Sequence, residues 1–269
     1  MNNHSCTMRS FATALLFVLL SNLLSAQNPT PDSTSKTADH YFSVSSDTRV
    51  RFAPGNLQYQ PSTKMWRFAP SQIETLGWKE SYSYPRYRGW IDLFGWGTAL
   101  TPTNYSDNSQ EYNFVDWGLF CGLPTGDGKQ WRTLSPSEWT YLLSQRPKAR
   151  RLYALAYVCG QYGLILLPDN WQRPKGIPMR TGPKEEGTNI YNATRWQTLE
   201  AAGAVFLPAS VRRIGTLVQG SASACHYWIS SPNPDTPTEA LYLLVNPYLP
   251  QIKSAPKSHG LSVRLVQNY

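Results

Sequence analysis

Apolar positions fall at helical spacing most clearly in Trp131–Leu143 (WRTLSPSEWTYLL). Trp139, Leu142 and Leu143 share one face, and Ser135-Pro136-Ser137-Glu138 precedes them. The Ser135 hydroxyl can accept from the Glu138 N–H while the Glu138 carboxylate reaches back to the Ser135 N–H. Pro136 at the first helical position gives up a donor that is unpaired there anyway. Leu134 and Trp139 occupy the two positions of a hydrophobic staple. The pattern predicts a helix from Pro136 whose apolar face lies on a sheet or a second helix.

Alternation with period two predicts strands elsewhere. Tyr41–Val44 and Arg49–Phe52 flank a Ser46-Asp47 turn, and Leu57–Gln60 and Met65–Phe68 flank PSTK. Leu152–Val158 and Gly163–Leu167 read as a buried hairpin. A second helix is expected over Arg195–Ala202, capped by Thr194 with Gln197 three residues on, and closed by Gly203. Ala204–Leu207, His226–Ser230, Ala240–Asn246 and Leu261–Gln267 complete the strands. SPNPDTPTE, PYLPQIKSAPKSHG and QRPKGIPMRTGPKEEGTN read as loops. Between Gly77 and Gln130 the chain is dense in Trp, Tyr, Gly and Asp, a composition that packs flat rings against bare backbone. Two helices among many short strands and long loops define an α+β domain.

The first 26 residues stand apart from this pattern. Arg9, the apolar run Phe11–Leu24 and Ser25-Ala26 describe a secretory signal peptide, with cleavage expected after Ala26. The apolar run is shorter than the ~20 residues of a spanning helix, so no membrane span is expected in the mature chain. Residues 27–40 read as a disordered spacer rich in Pro, Ser, Thr and Asp, and 41–269 as one domain. Ten Trp and sixteen Tyr supply its aromatic core. The formal charge is +8, one less without Arg9, in small groups such as Arg146–Arg151 (RPKARR), Arg212-Arg213, and Lys253 with Lys257. Such a surface suits acidic glycans or anionic surfaces. No nucleic-acid reading motif accompanies it. Cys121, Cys159 and Cys225 are an odd set, so one disulfide at most and at least one free thiol are expected.

Candidate chemistry is sparse. Asp92 and Asp116 sit in aromatic-rich loops where a hydrolase could keep a carboxylate pair, but an Asp beside Gly and Trp more commonly caps backbone N–H groups. Cys225 and His226 are adjacent on a strand and therefore point to opposite faces, so they cannot act as nucleophile and base. His40, His226 and His259 lack metal-ligand spacing, and no cofactor is implied.

Three segments carry a resemblance. RTLSPSEW, with Arg132, Ser135, Glu138 and Trp139, is similar to the helix start of the sulfatase-modifying-factor (formylglycine-generating-enzyme) superfamily. His226–Ser231 (HYWISS) resembles its Tyr-Trp-Ser-Ser strand, and Gly260–Val266 (GLSVRLV) its closing strand. Secreted bacterial members also carry segments similar to FAPGNLQYQ, GWIDLFGWGT, GLILLPDNW and LEAAGAVFLPA, in this order. The resemblance implies a C-type-lectin-like fold: small twisted, mainly antiparallel sheets, two flanking helices, long loops at one end and termini close together.

The enzyme branch uses two closely spaced cysteines near the C-terminus. Here Cys225 has no partner after it, so the expectation is a non-enzymatic domain that binds a glycan or protein at the bacterial cell surface. Pro232–Asp235 and Asp169–Trp171 are faint echoes, in the wrong order, of the calcium loops of lectins of this fold. A surface-fibre subunit is a further alternative, but residues 28–40 offer no donor strand. The ligand is expected across the loops between Pro208 and Gly260, with Arg212, Arg213, Tyr227, Tyr248, Lys253 and Lys257 as contacts. It is not expected at the loops around Trp90 and Trp117.

Overall fold

In the computed structural model the strands among the described residues form five sheets, three of which contribute side chains to one hydrophobic cluster. The structure describes residues 39–79, 86–123, 128–182, 187–220, 223–248 and 250–269. The signal peptide, the spacer as far as residue 38 and part of the loop QRPKGIPMRTGPKEEGTN lie outside the described residues. The described residues belong to one compact unit.

The first sheet joins the two ends of the domain. Strands β1 (Phe42–Ser43) and β2 (Arg49–Phe52) form the expected hairpin, and β15 (Val266–Asn268) pairs antiparallel with β2 and with β5 (Trp131–Arg132). Asp39 and His40, assigned to the spacer from composition, pack onto this end. The Tyr269 hydroxyl donates to the Asp39 carboxylate, and Asn170 donates to the Asp39 carbonyl at 3.0 Å. Strands β3 (Leu57–Gln60) and β4 (Met65–Phe68) form the second expected hairpin, with Leu57 opposite Phe68 and Gln60 opposite Met65.

After β5 comes α2 (Pro136–Thr140), preceded in the chain by a single turn, α1 (Trp117–Phe120). The capping box is present in both directions, the Ser135 N–H donating to Glu138 at 2.7 Å and the Glu138 N–H to Ser135 Oγ at 3.3 Å. Leu134 and Trp139 are buried in the same core. Beyond Thr140 the coil widens over Tyr141–Gln145, and the Arg146 N–H bonds the carbonyl five residues back. The Arg146 Nε takes the Leu142 carbonyl at 2.8 Å, satisfying a group that a regular turn would have used.

The central sheet has the order β8-β6-β7-β9, with β6 Tyr153–Val158, β7 Gln161–Leu166, β8 Asn189–Tyr191 and β9 Val205–Pro208. Only β8 runs parallel to its neighbour. Helix α3 (Ala193–Ala201) covers it, burying Trp196 and Leu199. Its cap is Asn192, whose side chain accepts from the Arg195 N–H at 3.0 Å, and not Thr194. Thr194 lies inside the first turn, where its carbonyl accepts the Thr198 hydroxyl. Gly203 closes the helix in the left-handed region, at φ +92°.

The third sheet is β12 (Cys225–Pro232), β13 (Glu239–Val245) and β14 (Pro250–Pro256), all antiparallel. β14 lies in a segment that reads as loop. Its two prolines fall at the strand ends, where a missing N–H costs no ladder bond, and β13 supplies an edge for the residues between. A short hairpin, β10 (Arg212–Ile214) with β11 (Leu217–Gln219), adds to this end of the molecule. The expected strand Leu261–Gln267 is shorter, because Leu261 and Ser262 bridge to Phe94 and Tyr227 before the chain crosses to the first sheet. The result is an α+β fold of mainly small antiparallel sheets with few helices. No helix among the described residues is long and apolar enough to cross a membrane.

Candidate functional site

The chemistry-bearing residues resolve into those consumed by the scaffold and those presented at the surface. Asp92 is fully buried and accepts from the Leu76 N–H at 2.9 Å and the Gly77 N–H at 3.5 Å. Asp116 caps α1 through the Gly118 N–H and takes both the N–H and the hydroxyl of Thr133 at 2.9 and 3.0 Å. Both carboxylates therefore hold backbone. α1 meets β5 so closely there that a Cβ at Gly118 would sit 1.8 Å from the Trp131 carbonyl oxygen.

Glu138 is similarly committed. Burial acts to raise its carboxyl, but hydrogen bonds from Arg132 and the Ser135 N–H outweigh it and leave the group below the usual range. Asp169, part of the faint calcium echo, pairs with the buried Arg146 at 2.7 Å and caps the Ser43 N–H. Arg146 is correspondingly removed from the basic surface run that the sequence suggests.

Cys225 is fully buried, donates to the Leu207 carbonyl at 3.2 Å, and has its thiol pushed up by desolvation. Cys121 is buried and Cys159 exposed, and all three thiols are free. Among the described residues no group of three or more His, Cys, Asp or Glu could hold a metal ion.

Two of the six expected contact residues are interior. Tyr227 is 1% exposed; its hydroxyl donates to Asn56 at 3.2 Å and to the Pro208 carbonyl at 3.0 Å. It points into the core because β12 alternates, placing His226 and Trp228 on the opposite face. Beside it the buried Arg264 of GLSVRLV, its pKa lowered to about 10 by burial, donates to Asn56, Ala53, Gln72 and Phe206 and so ties four segments together. Arg213 is 0% exposed. An unpaired cation is costly to bury, but this guanidinium lies 4.9 Å from the centre of the Tyr105 ring and donates to the Gly215 carbonyl. Its backbone exchanges two hydrogen bonds with Gly260.

The other four reach the surface, in three places. Arg212 and Lys253 belong to one patch. Lys253 stands opposite Tyr242 in the β13–β14 register, and the Tyr242 ring lies 5.8 Å from that of His226. Arg212 is near enough to act on the charge of Tyr242, His226 and His259. Burial lowers both imidazole pKa values and Arg212 lowers them further, so the patch carries fixed positive charge beside neutral rings. Tyr248, 68% exposed, sits in the β13–β14 turn. Lys257 is half-buried with its ammonium 5.0 Å from the Trp96 ring centre, and is separate from the patch.

Sequence reasoning did not single out Trp78. Of the ten Trp it alone is exposed, at 62%, on a short turn whose N–H groups the buried Asp92 holds and which lies against β11. The signal was an Asp fourteen residues away, which no local pattern connects to it.

No protein-family model, no curated protein and no solved structure matches this chain.

Proposed function

We propose that the chain is an exported, non-enzymatic recognition domain with a C-type-lectin-like fold, a relative of the sulfatase-modifying-factor superfamily, that binds a glycan or protein at the bacterial cell surface. The observation that carries this reading is where the reactive groups go. Asp92, Asp116, Glu138 and Asp169 hold backbone or arginine, and Cys225 is a buried, protonated thiol. The surface instead offers cations beside aromatic rings: Arg212, Lys253 and Tyr242, with Trp78 displayed nearby on the turn against β11. Rings that stack and cations that pair with carboxylate or sulfate suit saccharides bearing acidic groups. The pairing of the terminal strands, the two flanking helices and the loops around β10–β14 are in keeping with the proposed fold. An array of acidic and neutral glycans with a panel of surface proteins, probed with the purified chain, tests it. Binding that Arg212→Ala and Lys253→Ala together weaken is the expected result. Turnover of a small substrate that depends on Asp92 or Glu138 would overturn it.

A further inference from the structure

We propose a second site, separate from the Arg212–Lys253 face: the open edge of β14 beside α2 takes an extended acidic peptide segment, which joins the sheet as a fourth strand. Among the described residues β14 pairs with β13 alone, so every second N–H and C=O of Gln251–Ala255 faces away from the sheet. A cleft of about 330 Å³ lies there, lined by Pro250, Gln251 and Ile252 on one side and by Trp139, Thr140, Leu143 and Ser144 on the other. Successive strand residues point to opposite faces. Ile252 and Leu143 pack against the same core cluster as Trp139, so the cleft lies on the α2 side of β14, and because β14 is the last strand of its sheet the cleft runs alongside the open edge. Backbone donors and acceptors on one wall and an apolar helix on the other are what an added strand needs, one side chain in the cleft and its neighbours outside.

The charge at the cleft sets the kind of peptide. Arg150 lines it, and Lys148 and Arg151 stand exposed on either side of Arg150 in the chain. Among the described residues none of the three has an acidic partner. Three cations call for an acidic segment and repel a basic one.

A saccharide fits this place less well. The rings in its wall, Trp139 and Tyr153, are buried and present no open face for stacking. The hydroxyls of Thr140 and Ser144 already donate to carbonyls of their own helix, at 2.8 and 2.6 Å. The prolines at 250 and 256 bound the edge, which limits an added strand to about five residues, or roughly 17 Å. That length excludes runaway edge-to-edge pairing and admits a short peptide.

The test is selection of a displayed library of random eight-residue peptides on the purified full chain, with the Arg150→Glu variant as counter-target. The expected winners are rich in β-branched residues and carry at least one Asp or Glu. A synthetic winner, capped at both ends, should lose about tenfold or more in affinity to Arg150→Glu, and less to Arg150→Gln. Amide hydrogen exchange at Gln251–Ala255 should slow when it binds. Arg212→Ala, a change on β10 and outside the cleft, should leave its affinity unchanged, which separates this site from the glycan or protein face. No enrichment, winners indifferent to Arg150→Glu, or protection confined to other strands would each overturn the proposal.

Discussion

Arg132 grips both carboxylate oxygens of Glu138, at 2.9 and 2.6 Å, while the same carboxylate accepts the Ser135 N–H at 2.7 Å. One acid therefore caps α2 and ties it to β5, and Arg132 Nε holds Asn268 of β15 at 2.9 Å. Glu138→Ala should destabilise by about 2 kcal/mol, more than a lost cap alone, because Arg132 is left without its partner. Urea unfolding measures this. Ligand binding by the folded fraction should be unchanged, and a lost activity with an unchanged unfolding curve would make Glu138 catalytic.

The Arg146–Asp169 pair should matter more. Arg146 is buried and also holds the Leu142 and Leu152 carbonyls. Asp169→Ala leaves a guanidinium in the interior without its counter-charge and should cost roughly 3 kcal/mol. An equal loss for Lys148→Ala, an exposed cation of the same run, would contradict this assignment.

Stability should fall in mild acid. His226 and His259 have pKa values lowered from 6.5, first by burial and then by Arg212, with Arg213 adding to His259; Ser210 and Glu239 act in the other direction. The unfolded chain binds protons near pH 6.5 that the folded chain refuses. The stabilisation is complete above that pH and declines below it until the folded values are reached, by up to about 1.4 kcal/mol per pH unit for each ring. Urea midpoints at pH 7.5, 6.5 and 5.5 measure it, and Arg212→Ala should shrink the drop.

Thiol accessibility should split the cysteines. Cys159, exposed at the β6–β7 turn, should react in the native protein, and Cys121 and Cys225 only after unfolding. Mass mapping after brief alkylation reads this directly. Alkylation of Cys225 at the rate of Cys159 would contradict its burial.

For the Arg212–Lys253 patch, the double replacement by Ala should weaken the bound glycan or protein at least tenfold, with a melting temperature within a degree or so of the parent. The effect should diminish with added salt, since both cations are exposed. Trp78→Ala should weaken binding without unfolding the turn that Asp92 holds. Arg213→Ala, by contrast, should act mainly on stability, and an affinity loss confined to Arg213→Ala would return that residue to the contact surface.

Local chemistry was enough for the elements whose instructions are close in sequence. The Ser135 capping box, the 57–68 hairpin, the paired strands 153–166 and the Asp116 cap depend on neighbours within a few residues, so spacing alone determined them. Tertiary structure decided what depends on a distant partner. β14 exists because β13 offers it an edge, and its prolines concealed it. Arg213 and Tyr227 are interior because Tyr105, Asn56 and Pro208, all far from them in the chain, receive them. Arg146 left the basic surface for Asp169, twenty-three residues on. Composition fixed the positive charge of this protein; the fold chose which cations meet solvent, because a guanidinium is buried wherever carbonyls, rings or a carboxylate converge on it.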